Sequence, residues 1–304
     1  MRAPRSVWPY VAFTGLTFTT GALVSKALVD DGVDALVVAG APFLLAGLVG
    51  LANTLRTDRL SRAGVVSAAL LGVANSTMPA VFINLGFEVL PAGLVTLLIS
   101  MGPVFTAVTA HFVFPDERLR ATKLVGLALS VAGVAVLAVG AGDSDGDAGL
   151  RGVVLVLVGV TAAGVSAVPA RALAVRYGAA RLIGTQLAAA GAVALLAIVP
   201  TGRDAVPDGG WSPGHVIGLV VLAATALGGF RSMMAANEIG TTGQVSVIGY
   251  LLPVLGVAGG AVFFDEAITV AVLGGGALIL GGVVMLGLGS RSAAPAAEPA
   301  GHSV

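Results

Sequence analysis

Ten apolar runs of about 20 residues each divide this chain, and they restrict its possible folds more than any other feature. They lie near 8–27, 35–54, 64–86, 91–113, 122–140, 151–172, 180–199, 214–236, 242–264 and 269–289. A helix rising 1.5 Å per residue needs about 20 residues to cross about 30 Å of hydrocarbon. In that medium the backbone must satisfy its own hydrogen bonds, which leaves only helices and closed barrels. Runs this long and unbroken do not read as barrel strands. The expected fold class is therefore an all-α membrane protein with ten transmembrane helices, here called spans 1 to 10.

Composition bears this out where it matters. Of 304 residues, 57% are hydrophobic and 11% charged, about half the charge of a soluble chain. The lipid bilayer is the implied partner. A net charge of zero points to no nucleic acid. The lack of Cys removes disulfides, thiolate chemistry and Cys-ligated metals. No GxxxxGK[ST] sequence occurs, so ATP-driven transport by this chain alone is not expected, and no cofactor or metal is implied. The start, MRAPRSVWPY, runs into span 1 without a small-residue cleavage site and reads as a retained span. The segment 291–304, RSAAPAAEPAGHSV, reads as a disordered cytoplasmic tail.

The chain is also written twice. PVFTAVTAHFVFPDERLRATKLVGLALSVAG from Pro103 is echoed by PVLGVAGGAVFFDEAITVAVLGGGALILGG from Pro253. Glu117 precedes Gly126 and Gly133 by nine and sixteen positions; Glu266 precedes Gly275 and Gly282 by the same intervals. Upstream, Glu88 and Gly93 match Glu238 and Gly243 at an offset of 150. Two repeats follow, 1–142 and 143–290, with five spans each. Five is odd, so the second repeat must insert upside down relative to the first, as in many secondary transporters. Basic residues agree. With the N-terminus inside, thirteen Arg and Lys fall on inner segments, and only Lys26, Arg151 and Arg203 fall outside. Both termini are thus expected in the cytoplasm, with the chain in a bacterial inner membrane.

The paired Pro…Asp-Glu signatures, Pro103–Glu117 and Pro253–Glu266, and the glycine-spaced helices after them resemble the drug/metabolite transporter superfamily, specifically ten-helix EamA-type transporters. GFEVLPAGLVTLLISMGP and ANEIGTTGQVSVIGYLLP are similar to that family's third-to-fourth helix junctions. The resemblance covers about 8–289. It departs at Asp116 and Asp265, where the family often has Gly, and in span 1, which reads WPYVAFTGLTFTTG rather than a Trp-Gly-x-Asn-like start. It implies a small-molecule substrate, an amino acid or a related compound, moved outward.

Polar residues inside the spans locate a candidate cavity independently. Spans 1, 3, 4, 8 and 9 carry them and span 6 carries fewer, while spans 2, 5, 7 and 10 are nearly all apolar. Spans 1, 3, 4, 6, 8 and 9 are therefore expected around a polar cavity. The candidate substrate-binding residues are Thr17, Asn75, Thr96, Ser100, Arg231, Ser246 and Tyr250. Thr96, Ser100 and Pro103 share one helix face, and Ser246, Tyr250 and Pro253 are their mates. Each proline removes a helical hydrogen bond and permits a kink, so Pro103 and Pro253 are candidate gate residues or simply packing features. Thr and Ser hydroxyls otherwise bond their own helix's carbonyls. Asn75 serves as interhelical glue or as a substrate contact. Asn84, nine residues on, is not expected to share its pocket. Arg231 either snorkels to the cytoplasmic interface or holds an anionic substrate group. Gly126, Gly133, Gly275 and Gly282 are assigned to helix packing or a homodimer contact.

Together these readings give a secondary transporter working by alternating access. A membrane enzyme would need clustered carboxylates or histidines within the spans, and the chain has three His in all. A receptor that binds without flux is the other alternative.

Overall fold

The computed structural model describes residues 6–57, 60–114, 119–207, 209–239, 242–245 and 247–291. Asp116, Glu117 and Ser246, together with the tail from 292, lie outside the described residues. The regular secondary structure of the described residues is all helical, without strands. Among the described residues, nine helices are long and apolar enough to cross a membrane. The tenth, in span 9, is the 16-residue helix Ile248–Phe263, preceded by the short turn Thr242–Val245. All ten expected runs are therefore helical.

The helix starts follow local chemistry. Asp34 accepts the Leu36 N–H at the start of span 2 (Ala35–Thr57). Ser61 accepts the Gly64 N–H at the start of span 3. Ser212 accepts the His215 N–H ahead of span 8 (Pro213–Ile239), and Thr269 the Val272 N–H ahead of span 10 (Val270–Arg291). Each oxygen satisfies a donor that the first helical turn leaves unpaired.

Span 4 is opened from the other repeat. The Glu266 carboxylate accepts the Ala92 N–H at 2.5 Å and the Gly93 N–H at 2.9 Å. Its reach depends on Asp265, which adopts φ 54° in the left-handed region. The Phe264 and Glu266 N–H groups both return to the Gly260 carbonyl there, ending span 9. Glycine enters that region freely and Asp tolerates it.

Packing pairs the two repeats span by span. Span 5 (Ala121–Asp145) packs along span 10, span 2 along span 7, span 1 along span 8, span 3 along span 6, and span 4 against span 9. Exchanging the repeats returns the same set of pairs. The span 5–span 10 seam is the closest. A Cβ at Gly126 would stand 2.6 Å from the Gly282 carbonyl oxygen, and one at Gly133 2.6 Å from that of Gly275. Position 126 thus meets 282 and position 133 meets 275, so the two helices run antiparallel. Spans 2 and 7 do the same, with Gly40 beside Gly191 and Gly50 beside Gly184. These glycines are consumed inside one chain. The main buried cluster lies beside the seam and joins Leu97, Leu98, Val104, Leu137, Val156 and Ile279.

Two spans are broken near their centres. Span 4 consists of Ala92–Ile99 and Gly102–Val113. The interruption precedes Pro103, which has no N–H to give to the Ile99 carbonyl. Span 3 contains a π-helical turn, Val73–Thr77, just before Pro79. Such bulges arise where the regular hydrogen-bond ladder is interrupted.

Candidate substrate cavity

A cavity of about 390 Å³ lies among spans 1, 2, 3 and 8. Span 1 contributes Thr17, Phe18, Gly21, Ala22 and Ser25, a stripe at helical spacing. Ala80, Ile83, Asn84 and Phe87 form the matching stripe of span 3, and Leu222, Thr225, Ala226 and Phe230 that of span 8. Ile99, Ala163 and Leu252 complete the wall from spans 4, 6 and 9. Both repeats therefore build it.

Two expectations are corrected here. Span 2, nearly all apolar and left out of the expected cavity wall, supplies Val38, Ala39, Pro42 and Phe43. The cavity is also mainly apolar; its polar side chains are Thr17, Ser25, Asn84 and Thr225, and no charged residue is among the described residues that line it. The physical reason is that most polar side chains in the spans are already paired elsewhere. Three consecutive residues of the π turn bind neighbouring spans. The Ser166 hydroxyl, 2.6 Å from the Ala162 carbonyl of its own helix, also lies 3.0 Å from Asn75 Oδ1; Gln186 Nε2 donates to Ser76 Oγ at 3.1 Å, and Thr77 donates to the Ala190 carbonyl at 3.0 Å. Asn75 thus contacts span 6 and is not among the lining residues of the cavity.

The other candidates separate in the same way. Thr17 lines the cavity and spends its proton on the Phe13 and Thr14 carbonyls. Thr96 is fully buried against Gly256 and bonds the Gly93 carbonyl. Ser100 is buried and donates to the Leu97 carbonyl. Tyr250 packs against the main buried cluster. Arg231 follows the lining residue Phe230, but its own side chain is exposed and is not part of the wall. Pro103 stands in the first turn of Gly102–Val113, and Pro253 is buried inside its helix. Of the six candidate contacts within the described residues, the cavity wall includes Thr17 alone. The residues that sequence reasoning passed over are Ser25, Asn84 and the four phenylalanines 18, 43, 87 and 230. Their helical spacing was the signal that carried them.

Ion pairs begin where the lining ends. Lys26, next to lining residue Ser25, contacts Asp30 and donates to the Phe87 carbonyl at 3.2 Å. Arg203 bridges Asp34 at 2.8 Å and Glu88 at 2.6 Å. Glu88 directly follows Phe87, and Asp34 lies one turn before Val38. Hydrogen bonding to Glu88 raises the Arg203 guanidinium above its ordinary pKa, against partial burial, and Asp34 adds to the effect. Close by, buried His215 accepts the Ser212 N–H at Nδ1, so the neutral ring carries its proton on Nε2 and donates it to Asp31 at 2.7 Å. This cluster ties the loop after span 7 to spans 2 and 3.

Two other recesses are less suited. One of about 570 Å³ is walled only by spans 3 and 6, next to exposed Val154 and Val165, and reads as a surface groove. One of about 440 Å³, with Lys26, Asp30, Glu88 and Glu266, is a polar vestibule beside the ion pairs.

The model of the EamA-like transporter family matches residues 8–139 and again 150–288, one copy per repeat. The chain belongs to the EamA-like transporter family. It is a multi-pass membrane protein of that family. Its relatives include an uncharacterized transporter of Archaeoglobus fulgidus, 24% identical over 91% of this chain and 95% of the relative. A probable terminal-alkyne amino-acid exporter of Streptantibioticus cattleyicolor is 28% identical over 94% of each chain. A crystal structure 21% identical in sequence superposes with a TM-score of 0.62, covering 92% of this EamA-like chain and 98% of the other, and so shares the fold.

Proposed function

We propose that this EamA-like protein is a secondary transporter that moves small metabolites out of the cell across the inner membrane, by alternating access around the 390 Å³ cavity. The observation that carries this reading is the wall itself. Residues from both repeats meet around one space. The antiparallel seating of span 5 on span 10, and of span 2 on span 7, supports repeats of inverted topology. In such a pair, rocking one repeat against the other opens each end in turn. The distribution of Arg and Lys supports cytoplasmic termini, which puts the Arg203 cluster on the outer side. Amino acids or related compounds are the substrate class suggested by the exporter relative, and the outward direction has the same support.

The test is counterflow in proteoliposomes holding the purified protein, against labelled amino acids, organic cations and organic anions. The reading predicts exchange of one class and no exchange in protein-free vesicles. A folded preparation that binds a ligand without exchanging any of these classes would instead be a receptor.

A further inference from the structure

Ser25 is 9% exposed, lines the cavity and makes no hydrogen bond among the described residues. A serine or threonine inside a helix ordinarily gives its proton to the carbonyl four residues back. Thr14, Thr17 and Thr19 of the same span do so, to the Tyr10, Phe13 and Gly15 carbonyls. The Ser25 hydroxyl keeps its proton, in a wall that is otherwise mainly apolar. A buried donor left unpaired is costly and calls for a partner.

The other polar side chains of the wall are committed. Thr17 and Thr225 spend their protons on carbonyls of their own helices. Asn84 gives Nδ2 to the Ala80 carbonyl, and its Oδ1 is enclosed away from the cavity. Ser25 is therefore the one unspent donor among the described lining side chains. It also marks an end of the cavity. Lys26 follows it and donates to the carbonyl of Phe87, a lining residue, so charged groups begin there. Seven residues earlier, about 10 Å along the helix, Phe18 meets Phe230 edge to face with ring centroids 5.7 Å apart. The wall thus has a polar end and an aromatic end.

We infer that Ser25 reads the polar head of the ligand: its hydroxyl donates to an oxygen of that head, and the apolar remainder of the molecule lies toward Phe18 and Phe230. The inference rests on the cavity being the transport site. It deepens that reading by selecting, among amino acids and related compounds, those with one polar end and an apolar body. A second carboxylate at the far end would meet no unspent donor and no counter-charge among the described lining residues, and leaving it buried there is costly.

The probe is labelled norleucine, with glutamate as a molecule of similar length that ends in a second carboxylate. Binding to purified protein and exchange in proteoliposomes are measured separately. The expected result is that norleucine binds and exchanges and glutamate does neither. Ser25→Ala weakens norleucine binding about tenfold or more. Thr14→Val, which removes a hydroxyl of the same span that is spent on the Tyr10 carbonyl and is not part of the wall, leaves it unchanged. Thermal unfolding of both variants shows whether they are folded. Norleucine binding that Ser25→Ala weakens, without exchange even in the wild type, supports the role of Ser25 and overturns the transport reading. Exchange of norleucine that is indifferent to Ser25→Ala in the folded variant overturns the inference and leaves transport standing. Equal binding of glutamate, or no binding of norleucine by folded wild-type protein, also overturns it.

Discussion

Spans 5 and 10 meet so closely that carbonyl oxygens occupy the places where side chains would begin, whereas four phenylalanines line a space among spans 1, 2, 3 and 8. The seam is built of residues with nothing left to offer: small, packed and paired with their repeat mates. The cavity wall is built of large side chains at helical spacing, with one hydroxyl, that of Ser25, that no neighbour among the described residues uses. Span 1 holds both kinds of hydroxyl within nine residues, since that of Thr17 bonds its own helix while that of Ser25 is unspent. In a membrane interior, polar residues that find one another hold the helices together, and those left over mark where a ligand goes.

Inserting a large side chain on each side of this contrast should have opposite consequences. Gly133→Leu drives bulk into the Gly275 carbonyl and Ile279, at a cost of about 3 kcal/mol or more, the upper end of overpacking. The expected result is loss of monodisperse protein on size-exclusion chromatography. Ala226→Leu adds bulk where space exists. Its unfolding temperature should stay at the wild-type value while counterflow is abolished. If the two variants behaved alike, the distinction between seam and cavity would fail.

Smaller effects sharpen the comparison. Asn75→Leu removes the polar contact with Ser166 and should lower stability by about 1 kcal/mol, the scale of interhelical hydrogen bonds in membranes. Substrate preference should be unchanged, and a changed preference would place Asn75 in the site. Asp265→Gly relieves a left-handed non-glycine residue and should raise stability by about 0.5 kcal/mol. A fall in the unfolding temperature would show that the Asp side chain has a role of its own.

The spans, the repeats and the glycine seam were legible because they rest on hydropathy and on fixed spacings that survive in both copies. Gly126, Gly133, Gly275 and Gly282 sit where a shared face predicted them. The cavity was less legible. Helices apolar on nearly every side carry no hydrophobic face to fix their rotation, so Thr96 and Thr17 looked alike, although one is buried against Gly256 and the other lines the cavity. Span 2 was misplaced for the same reason, since Phe43 suits a lipid face as well as a cavity wall. Asn75 drew notice by its mid-span position, but its contact with Ser166 becomes visible only once spans 3 and 6 are packed. The Arg203 cluster joins residues 115 to 169 positions apart in sequence and had no local signature.

The central claim is that the cavity opens to each side of the membrane in turn. The chain lacks Cys, so Ala226→Cys creates a single reactive thiol on the wall. Labelling it in oriented vesicles with a membrane-impermeant maleimide, applied from either side, tests the claim most directly. Alternating access predicts labelling from both sides, with transportable substrate shifting the ratio. Labelling from one side only, unaltered by any exchanged substrate, would contradict it.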